Sequence, residues 1–271
     1  MACDIIEKSI RTSRVPKTLH DMLRLYAKTA RDFLAIHKKT SNDNKPLLDG
    51  DGDVELQDAV FGEVKPDLPI VCFEKASLYA ERLLELSSDG ISEDKSQESV
   101  WNNIVNVYID KADCYYWYQS NVMAAFTSIQ GAKKLVDKLP HEVQRIAMIE
   151  YNYAVDLNTK SHFEESITWL KDSFELYDLD EHKQVSKQAR TLRLLSNSYI
   201  EMNDLESAKN CIKMANSTHL TPQGLFLEVK VFALLKRIDE TEKALLELIR
   251  HPDTALNLSI TACKITFENN M

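Results

Sequence analysis

The side chains best placed for recognition chemistry are Arg190, Arg193 and Asn197, at i, i+3 and i+7 of a stretch that reads as a helix. That spacing sets all three on one face. Two guanidiniums and an amide suit a carboxylate or an acidic peptide, because a guanidinium offers a planar fork of donors to two carboxylate oxygens. Lys236 and Arg237 stand late in a second such helix and extend the same chemistry as a candidate partner-binding groove. The competing reading is a solvated polar stripe, since guanidiniums also decorate ordinary helix surfaces.

Other chemistries fail on spacing. The sequence holds no G-x-x-x-x-G-K-[ST] phosphate loop and no G-x-G-x-x-G turn. His141-Glu142 lacks the second histidine of H-E-x-x-H, and the other histidines are scattered near expected helix ends. Cys211 has no histidine beside it in sequence and reads as a small packing residue rather than a nucleophile. The acidic run Asp49-Gly50-Asp51-Gly52-Asp53 has the look of a calcium loop, but positions six and twelve are Val54 and Val60 where an EF-hand needs Gly and Glu. The expectation is therefore no catalytic residue, no metal, no cofactor and no enzyme.

Recognition side chains need a scaffold, and the stretch from Glu150 to Asn216 supplies its pattern. Ala154 and Leu157 precede a break at Lys160-Ser161-His162, and Ser166, Leu170 and Ser173 follow it. Ser196 and Tyr199 precede a break at Asn203-Asp204, and Ala208, Ile212 and Ala215 follow that one. The order is the same both times: small, large, turn, small, large, small. Paired helices need small residues where they touch and large ones where the next pair inserts, as in the tetratricopeptide (TPR) arrangement. Ala125, Ile129 and Ala132 continue the pattern upstream, and Ala244 continues it downstream. Ser161 with Glu164, and Asp239 with Glu242, read as capping boxes. Thr221-Pro222 reads as a cap followed by proline at the first helical position.

The fold class expected is all-α, a TPR-like superhelix of antiparallel helix pairs. Six glycines and seven prolines in 271 residues agree with that, as does the near absence of alternating apolar and polar runs. A net charge of −9 argues against direct binding of nucleic acid, which needs a basic face. Five scattered cysteines point to reduced thiols, and no uncharged run of about 20 apolar residues offers a membrane span. A soluble intracellular protein follows as the expectation.

In order along the chain, residues 1–40 read as N-terminal helices and 41–69 as a mobile acidic loop. Residues 70–271 read as the repeat array, with helices over 70–86, 98–118 and 122–139 before the central pairs. The array's last repeat is incomplete: residues 253–267 read as a first helix without a second, as in a fragment, an isoform, or a chain that pairs its end with another. The cluster Tyr115 to Tyr118 reads mainly as packing, because adjacent helical residues point to different sides.

One further pattern is more specific. Tyr151-Asn152-Tyr153-Ala154-Val155 opens a run that continues through Phe163-Glu164-Glu165-Ser166 to Trp169-Leu170-Lys171-Asp172-Ser173. Ala189-Arg190-Thr191-Leu192-Arg193-Leu194-Leu195 follows, before Tyr199. Serine stands at 166 and 173, where a generic repeat has alanine. Over roughly residues 98–250 the chain resembles the meiotic sporulation-twenty-two/Zip-four family, which includes the testis-expressed protein eleven type. The resemblance implies a non-enzymatic scaffold that supports meiotic crossover formation and synapsis on chromosomes by binding axis or crossover proteins in the nucleus. The alternative is a cytosolic TPR adaptor or co-chaperone that captures acidic peptides. Neither reading fixes the oligomeric state.

Overall fold

In the computed structural model the residues described are 21, 24–32, 68–88, 95–179 and 184–270, and all regular structure among them is helical. The chain divides between Leu139 and Pro140 into two compact units. The calcium-like run, the rest of the expected acidic loop up to residue 67, and most of the expected N-terminal helices lie outside the described residues.

In the first unit, residues 24–32 are helical, Ala27 is buried, and Ala30 packs into a core with Phe73, Cys72 and Cys114. Helix α1 spans Leu68–Ser88 and α2 spans Lys95–Asp113, so both extend into the interval between the helices expected over 70–86 and 98–118. A π-helical turn, Cys114–Tyr118, follows α2 directly. Its wider winding divides the aromatic cluster: Tyr116 is buried, Tyr115 donates its hydroxyl to Glu74 at 2.8 Å, and Trp117 and Tyr118 are exposed. Helix α3 spans Val122–Lys133, capped by Asn121, whose side chain accepts from the Ala124 amide. It stops short of Leu139 because bonds such as Leu135 N to Ala132 O and Val136 N to Lys133 O tighten the chain into turns. Gly131 lets the Tyr108 ring lie against α3; a Cβ there would sit 2.6 Å from the ring.

The second unit is a succession of helix pairs. After a 3-10 turn at Pro140–Glu142 come α4 (Val143–Thr159) and α5 (Phe163–Leu179), then α6 (Val185–Glu201) and α7 (Leu205–Thr218). Helices α8 (Pro222–Leu234), α9 (Ile238–Arg250) and α10 (Leu256–Asn270) complete it. Each first helix packs on its own second helix and also on the first helix of the next pair, which is the TPR mode of stacking.

Three turns inside the pairs are built alike. The helix ends on a left-handed residue, Ser161, Asn203 or Lys236, with φ of 63°, 58° and 56°. The next amide reaches back to close the end: His162 N to Leu157 O, Asp204 N to Tyr199 O, Arg237 N to Phe232 O. This is the Schellman closure, which satisfies carbonyls that a helix end leaves open. It displaces two expected caps. Ser161 terminates α4 instead of capping α5, and Asp239 sits inside the first turn of α9, whose cap position is Arg237. Acidic residues there still favour the positive end of the helix dipole. Thr221 caps α8 as expected, accepting from the Gly224 amide at 3.1 Å with Pro222 next.

The small residues of the repeat pattern sit in the seams. Ser166 Oγ donates to Ala154 O at 2.9 Å and Ser173 Oγ to Ala147 O at 2.8 Å, so partners descend on α4 as they ascend on α5 and the pair is antiparallel. Ala154, Ser166, Leu170, Ser173, Ser196, Ala208, Ile212 and Ala215 are fully buried, Trp169, Leu195 and Ala244 nearly so, and Tyr199 half-buried. The buried line on α5 runs through Trp169, Leu176 and Tyr177, with Phe163, Ile167 and Phe174 only half-buried. A helix flanked on two sides buries two stripes, which a single amphipathic face does not foresee.

Candidate partner-binding face

The face is set by how α6 lies on α4. Leu192, Leu195 and Ser196 are buried, whereas Arg190, Arg193 and Asn197, at i, i+3 and i+7, keep some exposure along one side of α6. Arg190 is exposed, with its guanidinium carbon 4.4 Å from the centre of the Tyr151 ring and Nε donating to the Tyr151 hydroxyl at 2.8 Å. A cation over an aromatic face and a hydrogen bond to its hydroxyl together fix the guanidinium plane. Arg193 is half-buried, and its Nη1 donates to the carbonyl of His219, the residue that ends α7. Burial lowers the Arg193 pKa below the usual guanidinium value; Tyr151 opposes that shift and the neighbouring Arg190 charge adds to it. Asn197 is half-buried further along the same helix.

Lys236 and Arg237 stand apart from this group. Lys236 is the left-handed residue of the α8–α9 turn. Arg237 opens α9 and forms ion pairs with Glu206 at 3.1 Å and Glu240 at 3.6 Å. The turn, rather than a helix face, positions both.

Two contributors were not singled out from sequence. Lys187 lies one turn before Arg190, with Nζ 3.5 Å from Gln144 Oε1 on α4. Tyr151 belongs to the face as the anchor of Arg190. The i, i+3 spacing of Lys187 and Arg190 carried the first signal; nothing in a single sequence pairs Arg190 with Tyr151.

Burial pushes the Cys114 and Cys211 thiols up to about 11 each, away from the thiolate form a nucleophile needs. Among the described residues no three His, Cys, Asp or Glu side chains group as a metal site, and no helix is long and apolar enough to cross a membrane.

The described family of SPO22/ZIP4-like meiosis proteins matches residues 115–264, the π-helical turn through α10. That is more than half of the chain. The chain belongs to the SPO22/ZIP4-like meiosis protein family. Among solved structures, a thermophilic TPR protein of Thermus thermophilus is 14% identical, covering 73% of this chain and 92% of its own, at a TM-score of 0.37. The TPR2AB domain of yeast Sti1, in complex with pHSP90, is 11% identical over 76% of this chain and 92% of its own, at a TM-score of 0.36. Within the family match lie all the helix pairs of the second unit and the α6 face.

Proposed function

We propose that the protein is a non-catalytic interaction scaffold that acts in meiotic crossover formation and synapsis, on chromosomes in the nucleus and through protein partners. The observation that carries this reading is the coincidence of the SPO22/ZIP4-like match with the stacked helix pairs. A stack of pairs buries one continuous core and leaves its first helices as an extended surface for other chains. The α6 face, with its ordered and polar side chains, is the part of that surface built for recognition rather than packing. Arg190, Arg193 and Asn197 contact the partner in this reading, with Lys236 and Arg237 at the margin.

The test is localisation of the tagged protein in germ cells, with recovery of its partners from the same cells. Discrete foci on chromosome axes through meiotic prophase are expected, together with co-recovery of axis or crossover proteins. A diffuse cytosolic signal throughout prophase, with no chromosomal foci, would sink the reading in favour of a cytosolic adaptor for acidic peptides.

A further inference from the structure

Many basic side chains of this acidic chain are paired with its own carboxylates. Examples are Arg31 with Asp110, Arg82 with Glu85, Arg145 with Glu142, Lys160 with Asp156, Lys230 with Glu201 and Arg237 with Glu206. The α6 face departs from that pattern. Its three cations are held by neutral oxygens: Lys187 by the Gln144 amide, Arg190 by the Tyr151 hydroxyl and Arg193 by the His219 carbonyl. Among the described residues no carboxylate accepts from any of them. Neutral anchors fix a side chain without cancelling its charge. Each guanidinium has five N–H donors, and each uses one on its anchor. The remaining donors of Arg190 are oriented, charged and exposed.

We propose that this face docks an acidic protein segment, rich in Asp or Glu, whose carboxylates supply the counter-charges for Lys187, Arg190 and Arg193. The proposal rests on the scaffold reading above and names the chemistry of one partner. The geometry points to a helical segment. The three cations recur every third residue, about 4.5 Å apart along α6, and a helix with a carboxylate once per turn repeats at about 5.4 Å. Two such helices lying side by side keep charge opposite charge for about two turns. A nucleic acid fits less well: a chain of net charge −9 repels a long polyanion, whereas a short patch tolerates a short acidic segment.

The probe is a short fluorescent Glu-rich helical peptide, compared with the same peptide carrying Gln in place of Glu. Both are titrated against the purified full chain and followed by fluorescence anisotropy. The Glu peptide is expected to bind about tenfold or more tightly than its Gln counterpart. That preference should fade between about 0.1 M and about 1 M salt, as the Debye length falls from about 10 to about 3 Å. Lys187→Gln/Arg190→Gln should abolish the preference with an unchanged thermal melt, because Arg193 still closes the end of α7. Arg190→Lys keeps the charge but loses the fork, and should retain part of the preference; it decides the matter if the double variant melts early. Equal affinity for the two peptides, a double variant that binds like the wild type, or equal competition by duplex DNA would each overturn the proposal. The scaffold reading fails separately. Chromosomal foci without peptide preference remove only the acidic segment, while peptide preference without foci supports the segment and removes the chromosomal role.

Discussion

In the α4–α5 pair the second helix supplies the hydroxyls, and in the α6–α7 pair the first helix does. Ser166 and Ser173 of α5 reach across to the carbonyls of Ala154 and Ala147. Forty-two positions on, the corresponding residues are Ala208, Ala215, Ser196 and Ala189. There Ser196 of α6 donates to Ala208 O at 2.9 Å, the same contact with its donor on the other side, while the other two positions, Ala189 and Ala215, are both buried and carry no hydroxyl. The seam therefore demands small volume, not a particular chemistry. A buried hydroxyl is tolerated wherever a carbonyl across the seam accepts its proton, since an unsatisfied one would cost about 1–3 kcal/mol. The large positions differ more. Trp169 packs edge-on to Tyr153, ring centres 5.0 Å apart, and the corresponding residues of the next pair are Cys211 and Leu195.

That last contrast gives the largest expected effect. Trp169 is almost completely buried and fills the space between α4 and α5. Trp169→Ala should cost about 3–5 kcal/mol, from lost burial plus the cavity left behind. Cys211→Ala, at the corresponding place in the next pair, removes one half-buried sulfur and should cost well under about 1.5 kcal/mol. Urea unfolding of both variants checks the ordering. Equal losses would mean that the two pairs carry the same load and that the aromatic contact is incidental.

A smaller effect tests the seam itself. Ser166→Ala removes one buried hydrogen bond, worth about 0.5–1.5 kcal/mol. Adding Ala154→Ser to it moves the hydroxyl to the first helix, as Ser196 has it in the next pair. If the two pairs are variants of one contact, the double variant should regain most of the loss. A double variant less stable than Ser166→Ala alone would show that the hydroxyl's side is fixed by each pair's own packing.

These comparisons also mark what the sequence made legible. The small–large spacing placed Ala154, Ser166, Ala208 and Ala244 in seams because volume is the property the seam selects, and volume is written in residue type. The direction of the Ser166 and Ser196 bonds was not legible, since either side satisfies the same carbonyl requirement. The turns misled for a similar reason. Ser161 and Glu164 have the types of a capping box, but the left-handed closure competes for the same residues, and the three-residue turn decided it. At the α6 face the arginines were visible by spacing, whereas Tyr151 and Gln144 lie about forty residues away on α4 and only the stacking of first helices brings them in.

The junctions between pairs carry the smallest and last test. Helices α4 and α6 are joined by a neutral bond, Asn158 Nδ2 to Ser198 Oγ at 2.6 Å. Helices α7 and α8 are joined by Asn216 Nδ2 to Glu228 Oε2 at 2.7 Å, and there the acceptor is a carboxylate. Burial raises the pKa of Glu228; the Asn216 bond opposes that shift and Glu247 reinforces it. A raised native pKa means that the folded state holds this proton more tightly than the unfolded chain does. The associated stability is fully present below the unfolded value of 4.5 and is lost as the pH rises through the raised native value. Glu228→Gln keeps an oxygen for Asn216 and removes the charge that burial disfavours. It should therefore match the wild type under acid conditions, gain slightly near neutrality, and flatten the stability curve between them. Thermal melts from acid to neutral pH measure this directly. A variant that loses stability at neutral pH while matching the wild type in acid would mean that the ionised carboxylate is a net asset at this junction, and that the charged and neutral junctions are not interchangeable.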